Sequence, residues 1–75
     1  MPRLPVLSGK EIIKALVKIG FEEIRQKGSH VIMKKQTLAG DIGCVVPLHK
    51  EVALGTLKGI LKQASVSPEE FFKVL

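Results

Sequence analysis

Residues 25–35 read Arg-Gln-Lys-Gly-Ser-His-Val-Ile-Met-Lys-Lys, two short segments that meet at Gly28. The adjacent β-branched residues Val31 and Ile32 favour a strand. Glycine between two such segments favours a tight turn, so this stretch predicts a β-hairpin. We expect its strands to cover Phe21–Lys27 and Ser29–Lys35.

Side chains alternate between the two faces of a strand, so the second strand has two distinct faces. One face carries His30, Ile32 and Lys34, and the other carries Val31, Met33 and Lys35. Neither face is purely apolar, so periodicity does not decide which one is buried.

The elements before and after the hairpin are predicted from helix signals. Ser8 and Glu11 form a capping box, and apolar residues then recur at helical spacing as far as Gly20, which predicts a helix over residues 9–19. A second helix is predicted over residues 54–64. Its Gly59 is expected to permit close packing against the sheet or the first helix. The sequence from Ser67 predicts a short last helix with proline at its first position.

Between the hairpin and the second helix we expect a mobile loop over Gln36–Asp41 and a third strand over Ile42–Val46, ended by Pro47. The predicted order is therefore α-β-β-β-α-α in one domain covering residues 1–75. This is an α+β fold, a three-stranded antiparallel sheet with helices on one face.

Composition restricts the class of partner. The net charge of +5 favours an anionic partner such as nucleic acid, although a basic surface can also be merely solvated. The predicted first helix carries Lys10, Lys14 and Lys18 along one face, for which an RNA contact and an ordinary solvated face are both open. Cys44, the only cysteine, is expected to be a small buried hydrophobe.

Several classes of protein are not expected. No apolar run reaches the length of a membrane span, and residues 1–7 lack the features of a secretory signal, so we expect a cytoplasmic protein. The carboxylates show no metal-ligand spacing, and no phosphate-cradling glycine loop precedes a helix. We therefore expect neither a metal nor another cofactor.

Five short motifs, in order and at matching spacing, resemble those of the HicA toxin family, also called YcfA-like, of bacterial and archaeal toxin-antitoxin systems. The resemblance runs from Pro5 to Phe72. The motifs are Leu7–Glu11, Arg25–His30, Val46–His49, Gly55–Leu57 with Ile60–Ala64, and Ser67–Phe71.

The resemblance implies a fold like that of double-stranded-RNA-binding domains, ribonuclease activity on mRNA, and a HicB antitoxin as protein partner. It places His30 at the family's catalytic histidine. An imidazole titrates near neutral pH, at about 6.5 when unperturbed, so it can act as a general acid or base. The residues expected to hold RNA phosphates are Lys10, Arg25, Lys27, Ser29 and Lys34.

Two other functions remain open at this stage. The chain could be a noncatalytic double-stranded-RNA-binding module, or an interaction protein whose basic face binds an acidic partner. His49 follows a proline in a connector, and the sequence favours a turn residue or a phosphate contact there over a second catalyst.

Overall fold

The structure, a computed structural model, describes residues 6–75 and confirms the predicted α+β order. Residues 1–5, on which the expectation of no secretory signal partly rests, lie outside the described residues. In the described part, no helix is both long and apolar enough to cross a membrane. The elements are α1 (Gly9–Ile19), β1 (Glu22–Lys27), β2 (His30–Thr37), β3 (Gly40–Pro47), α2 (Leu54–Gln63) and α3 (Pro68–Lys73).

The three strands form one antiparallel sheet in the order β1-β2-β3, with helices on one face. Val31 pairs with Val46 and Met33 with Cys44, and all four side chains are buried. The opposite face, which carries His30, is called the open face below because the side chains that β1 and β2 place on it are exposed or only half-buried. Packing of the helices thus decides the question that strand periodicity left open. The helices contribute Ile12, Leu16, Leu57, Ile60, Leu61 and Phe71 to the core.

Both predicted capping boxes are present, and they set where α1 and α3 begin. The Ser8 hydroxyl accepts a hydrogen bond from the Glu11 amide, and the Glu11 carboxylate accepts one from the Ser8 amide. Ser67 and Glu70 repeat this arrangement at the start of α3. At the other end of α1, Gly20 takes a φ of 114°, a left-handed conformation that glycine adopts readily.

The prediction of a mobile loop over residues 36–41 is wrong. β2 continues to Thr37 and β3 begins at Gly40, so a two-residue turn of Leu38 and Ala39 joins them. The Thr37 hydroxyl accepts a hydrogen bond from the Ala39 amide and donates one to the Gly40 carbonyl. These side-chain bonds fix the turn, and the hairpin is therefore a continuous pair of eight-residue strands.

The prediction that Gly59 permits close packing is also wrong. Gly59 is exposed, and a Cβ atom there would contact nothing within 4 Å. The close approach occurs instead at Gly9, where a Cβ atom would overlap the carbonyl oxygen of Pro47. The absence of a side chain at Gly9 is what lets the start of α1 lie against the end of β3.

Candidate nucleic-acid interface

The turn between β1 and β2 positions His30 at the first residue of β2. Gly28 has a φ of 61°, while the φ of Ser29 is not positive, the pattern of a type II′ turn with glycine at its first central position. The side-chain amide of Gln26 donates a hydrogen bond of 3.0 Å to the Gly28 carbonyl. Lys27 and His30 are the pair that closes this hairpin.

Two cations of β1 share the open face with His30. Lys27 lies directly opposite His30 on the neighbouring strand, and Arg25 lies opposite Ile32. Directly opposed residues of an antiparallel pair place their side chains on the same face, as do residues two apart in one strand. Lys27, Arg25 and His30 are all exposed. An anion such as a phosphate can therefore approach the imidazole and meet positive charge beside it.

Two further segments meet the hairpin at this end of the sheet. His30 pairs with Pro47 of β3 on its other side. The Leu48 amide donates a 2.7 Å hydrogen bond to the Ser29 carbonyl, and the Gly9 amide donates a 2.9 Å bond to the His49 carbonyl. We call this region the hairpin end: residues 25–30 at the turn between β1 and β2, residues 47–49, and the start of α1.

The hairpin end gathers most, but not all, of the residues expected to hold phosphates. Ser29 lies in the turn itself, and Lys10 is exposed in the first turn of α1, directly after Gly9, which contacts Pro47 and His49. Lys34 lies four residues along β2 from His30, a separation of about 13 Å. Its Nζ is 3.9 Å from a carboxylate oxygen of Asp41. Lys34 therefore belongs to the far end of the open face.

The nearness of His49 to His30 was missed at the sequence level. Nineteen positions separate the two histidines in the chain, and their segments are brought together by the pairing of β2 with β3 and by the hydrogen bond from the Leu48 amide to the Ser29 carbonyl. The signals in the sequence were weak ones: Pro47 ending a strand, and Gly9 directly after a cap residue.

The remaining candidates for chemistry lie away from the open face. Cys44 is buried on the helix side of the sheet, as predicted, and burial raises its pKa from 9.0 to about 11. Lys18, one member of the predicted cationic stripe, donates a 3.1 Å hydrogen bond to the Val74 carbonyl. Over residues 6–75, no three His, Cys, Asp or Glu side chains lie close enough together to form a metal site.

Comparison with known protein families identifies the family of this chain. A family model for the HicA toxin of bacterial toxin-antitoxin systems matches residues 9–66. This range is well over half of the chain, and it contains the whole hairpin end and every residue expected to contact RNA. No curated protein matches the chain.

Proposed function

The chain belongs to the HicA toxin family of bacterial toxin-antitoxin systems, and on that basis we propose that it is a metal-independent endoribonuclease that cleaves mRNA. A toxin of such a system has a cognate antitoxin, for which we propose a HicB-type protein. The observation that carries the enzymatic proposal is the placement of His30, exposed on the open face with Lys27 opposite and Arg25 on the same face.

The proposed chemistry is attack of a ribose 2′-hydroxyl on the adjacent phosphorus. A base takes the proton of the 2′-hydroxyl, the 2′-oxygen bonds to phosphorus, and the bond from phosphorus to the 5′-oxygen breaks. The leaving oxygen receives a proton, which gives a 2′,3′-cyclic phosphate and a 5′-hydroxyl end. His30 serves as a general acid-base group, a role typically worth about 10² to 10⁴ in rate.

The cations have a separate role, because negative charge grows on the phosphoryl oxygens during this reaction. Lys27 and Arg25 are the cations that share the hairpin end of the open face with His30, and they would stabilise that charge. Ser29 would donate a hydrogen bond to the same phosphate. Lys10 and Lys34 lie on either side of this group and would hold neighbouring phosphates of the strand.

The test is cleavage of a long mRNA-like transcript by the purified protein in the presence of EDTA, with His30→Ala and His30→Gln as variants. We expect the native protein to fragment the transcript, and both variants to bind it with little change while cleaving it at least about 100-fold more slowly. His30 is exposed and outside the core, so neither substitution should alter folding.

Lys73→Gln is the matched control, because Lys73 is exposed on α3, whose backbone lies beside α1 and α2 and not beside the strands. This variant should cleave as the native protein does. If the folded native protein binds the transcript and leaves it whole, the enzymatic proposal fails and a noncatalytic RNA-binding module becomes the better account. Protein that neither binds nor cleaves RNA would point instead to an interaction protein with an acidic partner.

A further inference from the structure

We propose that His49 is the second proton-transfer group of the cleavage reaction, paired with His30. This inference rests on the proposed ribonuclease function and adds a catalytic residue to it. The reaction needs one group that removes the 2′-hydroxyl proton and one that supplies a proton to the 5′-oxygen. The sequence contains two histidines, and both are exposed at the hairpin end.

The backbone places the two histidines within reach of one phosphodiester. His30 follows Ser29, whose carbonyl accepts the 2.7 Å hydrogen bond from the Leu48 amide, and His49 follows Leu48. Standard backbone lengths across this bond put the Cα atoms of the two histidines at most about 11 Å apart. An imidazole nitrogen lies several ångströms from its own Cα, so this separation lets both rings reach one phosphodiester.

The segment that carries His49 is held from two directions. The His49 carbonyl accepts the Gly9 amide at 2.9 Å, and the Leu48 amide is bonded to the hairpin turn. Gly9 itself packs so closely on Pro47 that a side chain could not be accommodated. A connector residue fixed in this way has a defined position relative to His30, which proton transfer requires.

The protons balance with two histidines. The neutral imidazole takes the proton from the 2′-hydroxyl, and the protonated imidazole gives one to the 5′-oxygen as its bond to phosphorus breaks. The two rings finish with their protonation states exchanged, and proton exchange with solvent restores them. No oxidant, reductant or metal enters this step.

Charged groups of both signs lie on the segments that meet at the hairpin end with His49, so the pH dependence of cleavage must be compared within one set of variants. They lie on the connector itself, on the start of α1 and on the hairpin: Lys50, Glu51, Lys10, Glu11, Lys27 and His30.

The first measurement is the pH dependence of cleavage for the native protein and for His49→Ala, His49→Gln, His49→Lys and His30→Ala. We expect the native rate to rise and fall with pH, and each histidine variant to lose one limb of this profile together with at least about 100-fold in rate. Lys50→Ala, a change at the neighbouring exposed residue, is the control and should keep both limbs.

The second measurement uses an RNA in which sulfur replaces the bridging 5′-oxygen, because a thiolate leaves without needing a proton. One of the two variants, His49→Ala or His30→Ala, should regain a near-native rate on this substrate, and the other should not. Rescue of one variant alone identifies that residue as the acid and supports the pair.

The outcomes separate this inference from the proposed function. If the native protein does not cleave RNA, the proposed function fails. If the native protein cleaves and all three His49 variants keep both limbs of the pH profile, His49 is at most a phosphate contact. The same conclusion follows if His49→Lys has native activity, and either result overturns the pairing of His49 with His30. The pair is equally overturned if neither alanine variant is rescued by the sulfur-containing substrate.

Discussion

Gly9 shows how one missing side chain can position a site. It is the first residue of α1, and its amide bonds to His49 while its Cα lies against the Pro47 carbonyl. Any Cβ at this position would push the start of the helix away from the end of β3. Because β3 pairs with β2 at His30, the placement of α1 and the geometry of the hairpin end depend on each other.

We therefore expect Gly9→Ala to destabilise the protein by about 1–3 kcal/mol, the usual cost of forcing extra atoms into a close contact. Gly59→Ala is the matched control. Gly59 lies in an exposed part of α2 with open space around its Cα. Alanine there should stabilise the protein by up to about 1 kcal/mol through its higher helix propensity. Urea unfolding of the two variants measures both effects, and equal midpoints would contradict the packing argument.

Cys44 gives a prediction about pH. Burial raises the pKa of its thiol from 9.0 to about 11, so the folded protein holds the thiol proton more tightly than the unfolded chain. The part of the free energy of unfolding that depends on the protonated thiol is fully present below pH 9. It is lost as the pH rises from about 9 to 11, where the unfolded chain loses the proton and the folded protein keeps it.

At pH 8 the native thiol should therefore react with iodoacetamide at least about 100-fold more slowly than the thiol of the chain unfolded in urea, because two pKa units reduce the thiolate fraction by that factor. Mass spectrometry of timed samples measures both rates. Labelling of the native protein at the unfolded rate would show that Cys44 is accessible.

At the scale of elements, the helices could be predicted closely and the strands less well. Capping boxes are local, since all their donors and acceptors lie within four residues, and they located α1 and α3. The turn at residues 38 and 39 has no Asn-Gly or Pro-Gly signal, and its bonds come from the Thr37 hydroxyl. Short-range turn chemistry of this kind is easily missed in a sequence.

The β1-β2 turn depends on the positive φ of Gly28. Alanine at Gly28 would have to adopt a left-handed backbone conformation, at a cost of about 1–2 kcal/mol, while asparagine adopts it more easily. Gly28→Ala should thus destabilise the protein and slow RNA cleavage, and Gly28→Asn should do less of both. Denaturation and cleavage assays on the two variants test the order, and a Gly28→Asn variant that is as impaired as Gly28→Ala would contradict it.

At the scale of the whole molecule, the site is a product of topology. The motif around Gly28 predicts where His30 lies along the chain, but not that Pro47 pairs with it or that His49 and Gly9 lie at the same end of the sheet. That convergence depends on strand order and on helix packing, which are long-range properties. The same topology separates Lys34 from the hairpin end and sets it beside Asp41, although a sequence view groups Lys34 with the other cations.

The position of the cations, as well as their number, should govern RNA affinity. Each protein cation that neutralises a phosphate of single-stranded RNA contributes about 0.7 to the slope of log affinity against log salt concentration. Lys27→Gln removes a cation opposite His30, and Lys73→Gln removes one on α3, whose backbone does not lie beside the strands. Both changes reduce the net charge of +5 by one.

We expect Lys27→Gln to weaken binding and to reduce the slope by about 0.7, and Lys73→Gln to leave the slope unchanged. Titrations of a fluorescent RNA at several salt concentrations measure both, on the His30→Ala background, which we expect to bind RNA without cleaving it. Equal effects of the two variants would mean that the net charge, and not the open face, holds the RNA.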